Sequence, residues 1–436
     1  MAGEFVTYNK ELAGVYFRRQ TIVSNLTDPS IVGSVALPLP LKWGADVVEI
    51  TAKDIITNDV YNKIGLNQND QSVLPIILAL ENCSKVYVCR NDTGGVKASA
   101  TIYAGLTATA RYAGSFGNNI TVEIAKKTGE TNFTVITYLS GKVVDRQVIS
   151  NVLSLKDNSF VTFTGTGALE VKAGVSLADG TDGNATNKFG DSLESLVAVP
   201  VDVLAIFDGS DLDDVKEFIE DTRVNLGKDM RAVIISDNIN DEYFVKLKNQ
   251  GFTKDGTIID SKLYAAYMAG IQAGSTGATS NTYREIVGAT DLINPSSGLL
   301  TDIKAGYLVL GTRTDGAIII EKDVNSLPAS NNEDDETLRD NRNIRALIGV
   351  KAKIRDHLEK YVIGKIDGND LGLDTVKSSL TVILKEAESD REIRNFSPES
   401  DIEVSFGATN RDLIVNMWIQ TAVSIEKVYV NILQRI

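Results

Sequence analysis

Residues 401–436 read DIEVSFGATNRDLIVNMWIQTAVSIEKVYVNILQRI, and this stretch decides how the rest of the chain is interpreted. It holds two runs, Leu413–Ile419 and Lys427–Leu433, whose apolar residues show the two-residue alternation of β-strands. No glycine, proline or helix cap interrupts the second run. The second run is therefore expected to close the sheet of its own subunit or to add a strand to the sheet of a neighbour.

The composition is that of a soluble globular protein of about two to four domains, because 436 residues exceed one ordinary core. The chain has 44 Lys and Arg against 58 Asp and Glu, a net charge of -14, which argues against nucleic acid as the main partner. No apolar run is long enough to cross a membrane, so direct membrane insertion is not expected. The first ten residues, MAGEFVTYNK, do not read as a signal peptide, and we expect synthesis and use in a cytoplasm.

Two cysteines, Cys83 and Cys89, flank the strand-like run Lys85–Val88. Across such a run their Cα atoms are too far apart for a disulfide. We therefore expect two reduced thiols.

Pattern and composition divide the chain into five segments. They are an extended arm at 1–24, an α/β segment at 25–90, an all-β insert at 91–180, a second α/β segment at 181–330, and a C-terminal domain at 331–436 that ends in the strand-like run.

The all-β insert is predicted from short alternating runs separated by glycines, which is typical of a small sandwich or barrel. The predicted strands are Lys97–Tyr103, Ile120–Ala125, Phe133–Leu139, Val143–Ile149 and Phe160–Thr164.

Apolar strands alternate with helices after the insert, and this order indicates a parallel sheet covered on both faces. The predicted strands are Val201–Phe207 and Ala232–Ser236, and the predicted helices are Phe189–Val197, Leu212–Leu226 and Asp241–Gln250.

A long helix is predicted over about 337–363, followed by a second helix at Thr375–Glu386. One buried stripe recurs at helical spacing through Ile344, Leu347, Val350, Ile354, Leu358 and Tyr361. Several cations, among them Arg339, Arg342, Arg345 and Lys353, lie mostly off this stripe. They are expected either to form a solvated face or to dock an acidic partner.

Catalytic chemistry has little support in the sequence. Serine acyl transfer needs a histidine base, and the one histidine, His357, falls on the predicted long helix outside the α/β segment. The acidic run at 208–214 lacks the glycine and final glutamate of a calcium loop, and there is no Cys/His cluster for zinc. We expect no catalytic, metal or cofactor site, with a serine hydrolase as the alternative.

Five phrases, in order along the chain, resemble contractile tail sheath proteins, which coat the tails of contractile-tailed bacteriophages and of phage-tail-like bacteriocins. The most specific is ARYAGSFGNNITV at 110–122, similar to that family's A-x-x-x-G-x-W/F-G-N-x-L/I-x-V. The others are GVYF at 14–17, with Ala13 where a proline is usual, ADGTDG at 178–183, GAIIIEKDVNSL at 316–327, and AVSIEKVYV at 422–430.

The resemblance implies a structural protein and not an enzyme. It implies a subtilisin-like domain at 181–330, and a C-terminal domain whose core also takes in residues 25–90. It further implies six-fold rings stacked helically around an inner tail tube, with baseplate and tail terminator proteins as further partners. Such a sheath contracts to drive the tube through the envelope of a target cell, in a virion tail or bacteriocin particle assembled in the bacterial host cytoplasm.

Site residues follow from the same resemblance. A helix of the C-terminal domain faces the tube in this family, so Arg339, Arg342, Arg345 and Lys353 are expected to contact it. Inter-subunit strands are expected at both ends of the chain, namely Val15, Tyr16, Phe17, Val428, Tyr429, Val430 and Ile432.

Overall fold

The computed structural model describes residues 2–4, 15–17, 31–236, 238–248, 251–330 and 333–434. The strands, in chain order, are β1 Ala2–Glu4, β2 Val15–Phe17, β3 Ser34–Leu39, β4 Val47–Thr51, β5 Lys85–Arg90, β6 Asp92–Thr93, β7 Ser99–Tyr103, β8 Leu106–Ala110, β9 Ile120–Ala125, β10 Phe133–Leu139, β11 Lys142–Ile149, β12 Val161–Gly165, β13 Lys172–Ser176, β14 Asn184–Ala185, β15 Val203–Ile206, β16 Arg231–Ile234, β17 Phe244–Leu247, β18 Phe252–Lys254, β19 Thr257–Ile259, β20 Ala289–Leu292, β21 Tyr307–Leu308, β22 Leu310–Thr312, β23 Ile318–Ile320, β24 Ile393–Arg394, β25 Ile402–Phe406, β26 Leu413–Met417 and β27 Gln420–Thr421.

The helices are α1 Ala52–Ile56, α2 Val60–Ile64, α3 Leu74–Leu80, α4 Ser192–Leu196, α5 Leu212–Leu226, α6 Ser261–Gly274, α7 Leu299–Lys304, α8 Glu333–Arg339, α9 Asn341–His357, α10 Asp370–Ser389 and α11 Pro398–Asp401, and a π-helical turn Leu358–Val362 follows α9. Among the described residues, no helix is both long and apolar enough to cross a membrane. The chain forms two compact units, one from 1–31 and 38–195 and the other from 32–37 and 196–436.

A β-sandwich makes up most of the first unit. Its two sheets have the strand orders β11–β10–β9–β13 and β12–β8–β7. Ile120, Val122 and Ile124 alternate along β9 as buried side chains, and they share one core with Ala108 and Val161 of the other sheet. The all-β prediction is confirmed, and β9 and β10 have the predicted bounds.

A glycine-rich turn of the sandwich packs closely against the segment before it. Gly114 has a φ of 127°, and a Cβ there would lie 2.0 Å from the carbonyl oxygen of Lys42, so no larger residue fits. The Asn118 side chain then donates to the Gly180 carbonyl and accepts from the Gly180 N–H, at 2.9 and 2.8 Å. The two phrases at 110–122 and 178–183 are therefore one structural feature.

The segment 38–90 belongs to the same unit as the sandwich. Trp43 is 2% exposed in the sandwich core, with ring centroids of Tyr112 and Phe116 each 5.1 Å away. Aromatic contacts thus join this segment to the sandwich. The expected packing of residues 25–90 with the C-terminal domain stays a prediction. Cys83 and Cys89 are buried and form no disulfide with each other, as expected.

Parallel strands form the centre of the second unit in the order β21–β17–β16–β15–β3. The four side chains of β15 and the four of β16 are all buried, as a sheet covered on both faces requires. Helix α5 has the predicted bounds and ends at Gly227, whose φ of 63° suits a C-terminal cap. The helix predicted at 241–250 is wrong, because Phe244–Leu247 is a buried strand between β16 and β21.

The predicted long helix is interrupted at Asp340, which is half-buried. This residue has an extended backbone, forms a bridge with Val324, and accepts a hydrogen bond from the Arg342 N–H at 2.8 Å as the N-cap of α9. Helix α8 therefore ends before it and α9 begins after it. Val350 and Ile354 of α9 pack with Val376 and Leu380 of α10, so the centre of the predicted stripe is buried. Leu347 and Tyr361 of that stripe are exposed.

Candidate assembly surface

The last described residues, 427–434, which we call the tail, form neither helix nor strand. Val428 is 78%, Tyr429 87%, Val430 74% and Ile432 90% exposed, so the described part of the chain leaves these residues uncovered. The strand predicted at 427–433 is thus not paired within the described chain. A contiguous exposed apolar run of this kind marks an interaction site in a folded protein.

An apolar groove of about 490 Å³ lies elsewhere on the same unit. Its lining includes Leu347, Val350, Ile354 and Leu358 from α9 and the following turn, and Met417 and Ile419 from β26 and the residues after it. The predicted stripe therefore continues from the core into this open surface, which explains why Leu347 is exposed.

Next to the groove, β25 and β26 form a two-stranded antiparallel sheet from Ile402 to Met417. In the part of the chain that the structure describes, each strand has only the other as its ladder partner. The outer edges of this sheet can therefore accept a further strand through backbone hydrogen bonds.

The four predicted tube-facing cations do not form an exposed face. Arg339 is 3%, Arg342 6% and Arg345 6% exposed, so the outward orientation expected for these three is wrong. The Lys353 ammonium is half-exposed and lies 2.9 Å from Glu392.

Arg342 and Arg345 are buried because a loop covers a second side of α9. A Cβ on Gly277 would lie 2.5 Å from the Cα of Ala346, so this loop lies directly on the helix. Arg342 Nε donates to the Gly277 carbonyl at 3.1 Å, and Arg345 donates to the carbonyls of Thr276 and Thr279 at 3.2 and 2.7 Å. Helical spacing detects the apolar face but not a second face buried through polar contacts.

Arg345 is also the centre of a buried ion network. Its guanidinium lies 2.8 Å from Asp323 Oδ2 and 2.9 Å from Gln272 Oε1, and Gln272 Oε1 accepts in turn from Arg231 at 3.1 Å. Burial alone would raise the pKa of Asp323, but the charge of Arg345 and the hydrogen bond from Gln272 outweigh it and hold the pKa below its usual range. Burial and the charge of Arg345 lower the pKa of Arg231 to about 9. Burial, with the nearby charge of Asp323, raises the pKa of Asp340 to about 6.

At the other end of the chain, β1 pairs with β2 in parallel, with Ala2, Gly3 and Glu4 opposite Val15, Tyr16 and Phe17. The remainder of the predicted arm, residues 1, 5–14 and 18–24, lies outside the described residues. The role of Val15, Tyr16 and Phe17 between subunits stays a prediction.

The histidine required by the hydrolase alternative lies away from the parallel sheet. His357 is at the end of α9, where its ring centroid is 5.3 Å from that of Tyr361. No hydrogen bond joins it to a serine among the residues that the structure describes. In the same residues, no group of three or more His, Cys, Asp or Glu could hold a metal ion.

Comparison with known proteins matches two parts of this chain. The phage tail sheath protein beta-sandwich domain matches residues 93–182, and the phage tail sheath C-terminal domain matches residues 333–435. The chain belongs to the phage tail sheath proteins.

Whole-chain relatives agree with the two domain matches. The sheath tail protein from Listeria innocua is 28% identical, with 92% of this chain and 94% of that one covered and a TM-score of 0.78. The sheath tail protein from Desulfitobacterium hafniense is 26% identical, with 96% and 98% covered and a TM-score of 0.67. The phage-like element PBSX protein XkdK of Bacillus subtilis is 28% identical, with 99% of each chain covered.

More distant structures share the fold of this sheath protein. The helical sheath of the anti-feeding prophage in its contracted state is 10% identical, with a TM-score of 0.53 over 98% of this chain and 100% of that one. The two domain matches and the whole-chain relatives confirm the predicted family, and the chain is a structural sheath subunit.

Proposed function

We propose that this sheath subunit polymerises around an inner tail tube and contracts to drive the tube through the envelope of a target cell. The observation that carries the proposal is a pair of surfaces on one chain. The tail is apolar and exposed, and the groove beside β26 is apolar and open. In an assembly, the tail of one copy would occupy the groove of a second copy.

The tail would dock by adding to the β25–β26 sheet of a neighbour, with alternate side chains entering the groove. Burying one Val or Ile side chain contributes about 1.5–3 kcal/mol, whereas ordering one residue costs about 1–2 kcal/mol. One docked tail is therefore a modest contact. Repetition around a ring turns modest contacts into a stable assembly.

Tail residues Val428, Tyr429, Val430 and Ile432 are thus proposed as inter-subunit residues. Residues Val15, Tyr16 and Phe17 of β2 are proposed as the second link between copies. Two links per subunit allow rings to connect both within a layer and between layers. The helical sheath of the anti-feeding prophage, which has this fold, has a contracted state. We propose that in this chain the subunits move as rigid bodies during contraction while the links persist.

The remaining partners belong to the same proposal. They are six-fold rings of this chain, an inner tube, and baseplate and terminator proteins, in a virion tail or bacteriocin particle assembled in the host cytoplasm. Of the four cations predicted to face the tube, Lys353 is the one whose side chain is accessible, and its contact with the tube stays a prediction. The parallel strands support an α/β domain, and a subtilisin-like topology for it is part of the proposal.

Deletion of residues 427–436 tests this function. We expect a soluble subunit that unfolds like the intact chain but forms no tubes or sheets by negative-stain electron microscopy at concentrations where the intact chain does. A matched control replaces the same residues with a Gly/Ser segment of equal length. This variant should likewise form no tubes or sheets. If the truncated chain still builds ordered tubes, tail exchange is wrong.

A further inference from the structure

The segment just before the tail, residues 420–426, which we call the tail root, is held by its own subunit. Strand β27 pairs with β24, and the Ala422 N–H donates to the Glu392 carbonyl at 3.0 Å. Beyond this, side chains alternate between the two sides of the chain. Val423 is 52% and Ile425 88% exposed, whereas Ser424 and Glu426 direct their side chains onto the fold.

Ser424 is anchored by a buried arginine. Arg342 Nη1 donates to Ser424 Oγ at 2.7 Å, and its other nitrogens donate to the carbonyls of Gly277 and Arg391, each at 3.1 Å. One guanidinium, 6% exposed, therefore joins the loop on α9, the turn before β24 and the tail root. Its planar geometry fixes the direction of all three bonds.

Glu426 is anchored by an ion pair. Lys322 Nζ lies 3.4 Å from Glu426 Oε2, and the two side chains are 31% and 26% exposed. Two residues later, Val428 is 78% exposed. Among the described residues, Glu426 thus makes the last ion pair between the tail root and the fold, and Lys427 separates it from the exposed side chain of Val428.

We propose that Arg342 and Lys322 are positioning residues for assembly, which fix the tail root through Ser424 and Glu426 so that the chain pivots at Lys427. This inference rests on the proposed function, because it concerns how the exchanged tail is presented. A fixed root leaves eight described residues, 427–434, to search for a neighbour, whereas a root held only as far as Ala422 would leave twelve, 423–434. Effective concentration falls roughly as the −3/2 power of linker length, so loosening the root lowers it about twofold.

A spin-label experiment tests the anchoring in the full chain. Labels are attached at Ile425→Cys and Val430→Cys, both exposed positions, while the native Cys83 and Cys89 are buried. We expect a restrained label at 425 and a free label at 430. The double variant Ser424→Ala, Glu426→Gln should free the label at 425 and leave the thermal unfolding midpoint unchanged.

The same double variant should raise the protein concentration needed for tube formation about twofold. Ser378→Ala, Glu386→Gln, the same changes on the outer face of α10, is the matched control and should assemble normally. Ser424→Thr keeps the hydroxyl and should also behave normally.

Two results would overturn the inference. One is a label at 425 that is as mobile as the label at 430 in the otherwise unchanged chain. The other is a double variant that assembles like its α10 control. If deletion of 427–436 blocks assembly while the double variant assembles normally, the anchoring is wrong and the proposed function stands; if the deleted chain assembles, the proposed function fails.

Discussion

Single residues explain why part of the sequence interpretation was wrong. Arg342 and Arg345 have the spacing of a helix face outside the apolar stripe, and such a face is usually exposed. Here a loop covers it, and each guanidinium finds several acceptors, since arginine can donate five hydrogen bonds. The local sequence does not predict this cover, because the contact between the loop and α9 joins positions 65 to 69 residues apart.

Arg345→Met should destabilise the subunit by about 3–5 kcal/mol, because it leaves Asp323 charged and buried without its partner. Lys353→Met, on the same helix, is the control. The Lys353 side chain is half-exposed although its partner Glu392 is mostly buried, so the expected loss is smaller, about 1–2 kcal/mol. Urea unfolding of both variants at pH 7 measures the difference, and equal losses would mean that the Arg345 network adds nothing to stability.

Asp340→Asn should change how stability depends on pH. The pKa of Asp340 is raised to about 6, above its ordinary value of 3.8, so the folded chain keeps a proton that the unfolded chain has lost. This carboxyl's contribution to stability therefore falls as pH rises from about 4 to about 6. Asparagine still caps α9 but does not titrate.

The variant should accordingly gain stability relative to the natural chain across that interval and hold a constant advantage above it. Unfolding in urea at steps of pH measures this difference. A difference that stays flat from pH 4 to pH 7 would contradict the raised pKa.

At the scale of elements, the sequence predicts the bounds of a strand or helix where a single periodicity runs through the whole element. β9, β10 and α5 have their predicted bounds because alternation or helical spacing runs through the whole element. β8 was missed because its buried side chains are mostly alanines, and β13 because it is largely exposed. The helix prediction at 241–250 is wrong because β17 is buried on both faces of the parallel sheet, and this removes the alternation that marks a strand.

Gly114→Ala tests the turn that joins the sandwich to the segment before it. The new Cβ would lie 2.0 Å from the Lys42 carbonyl oxygen at a φ of 127°, and we expect a loss of about 1–3 kcal/mol or more. Gly129→Ala is the control, with a φ of 86° but no atom within 4 Å of the Cβ, so it carries the backbone strain without the collision. Thermal unfolding compares them, and a Gly129 variant as unstable as the Gly114 variant would show that the close contact is unimportant.

At the scale of the whole molecule, the family could be predicted from the sequence, because short phrases keep their order from residue 14 to residue 430. The physical basis is visible in two of them, which meet through Asn118 and Gly180. The groove could not be predicted in the same way. Its lining comes from α9 and from residues 417–419, and only the fold brings these together.

The central claim is that the tail of one copy occupies the groove of another. A cryo-electron microscopy map of the assembled sheath at side-chain resolution tests it most directly. We predict that residues 427–434 add a strand beside β26 of a neighbouring subunit and cover Leu347 and Met417 there. A map in which the tail folds back into the groove of its own subunit, or leaves that groove open in every subunit, would contradict the account.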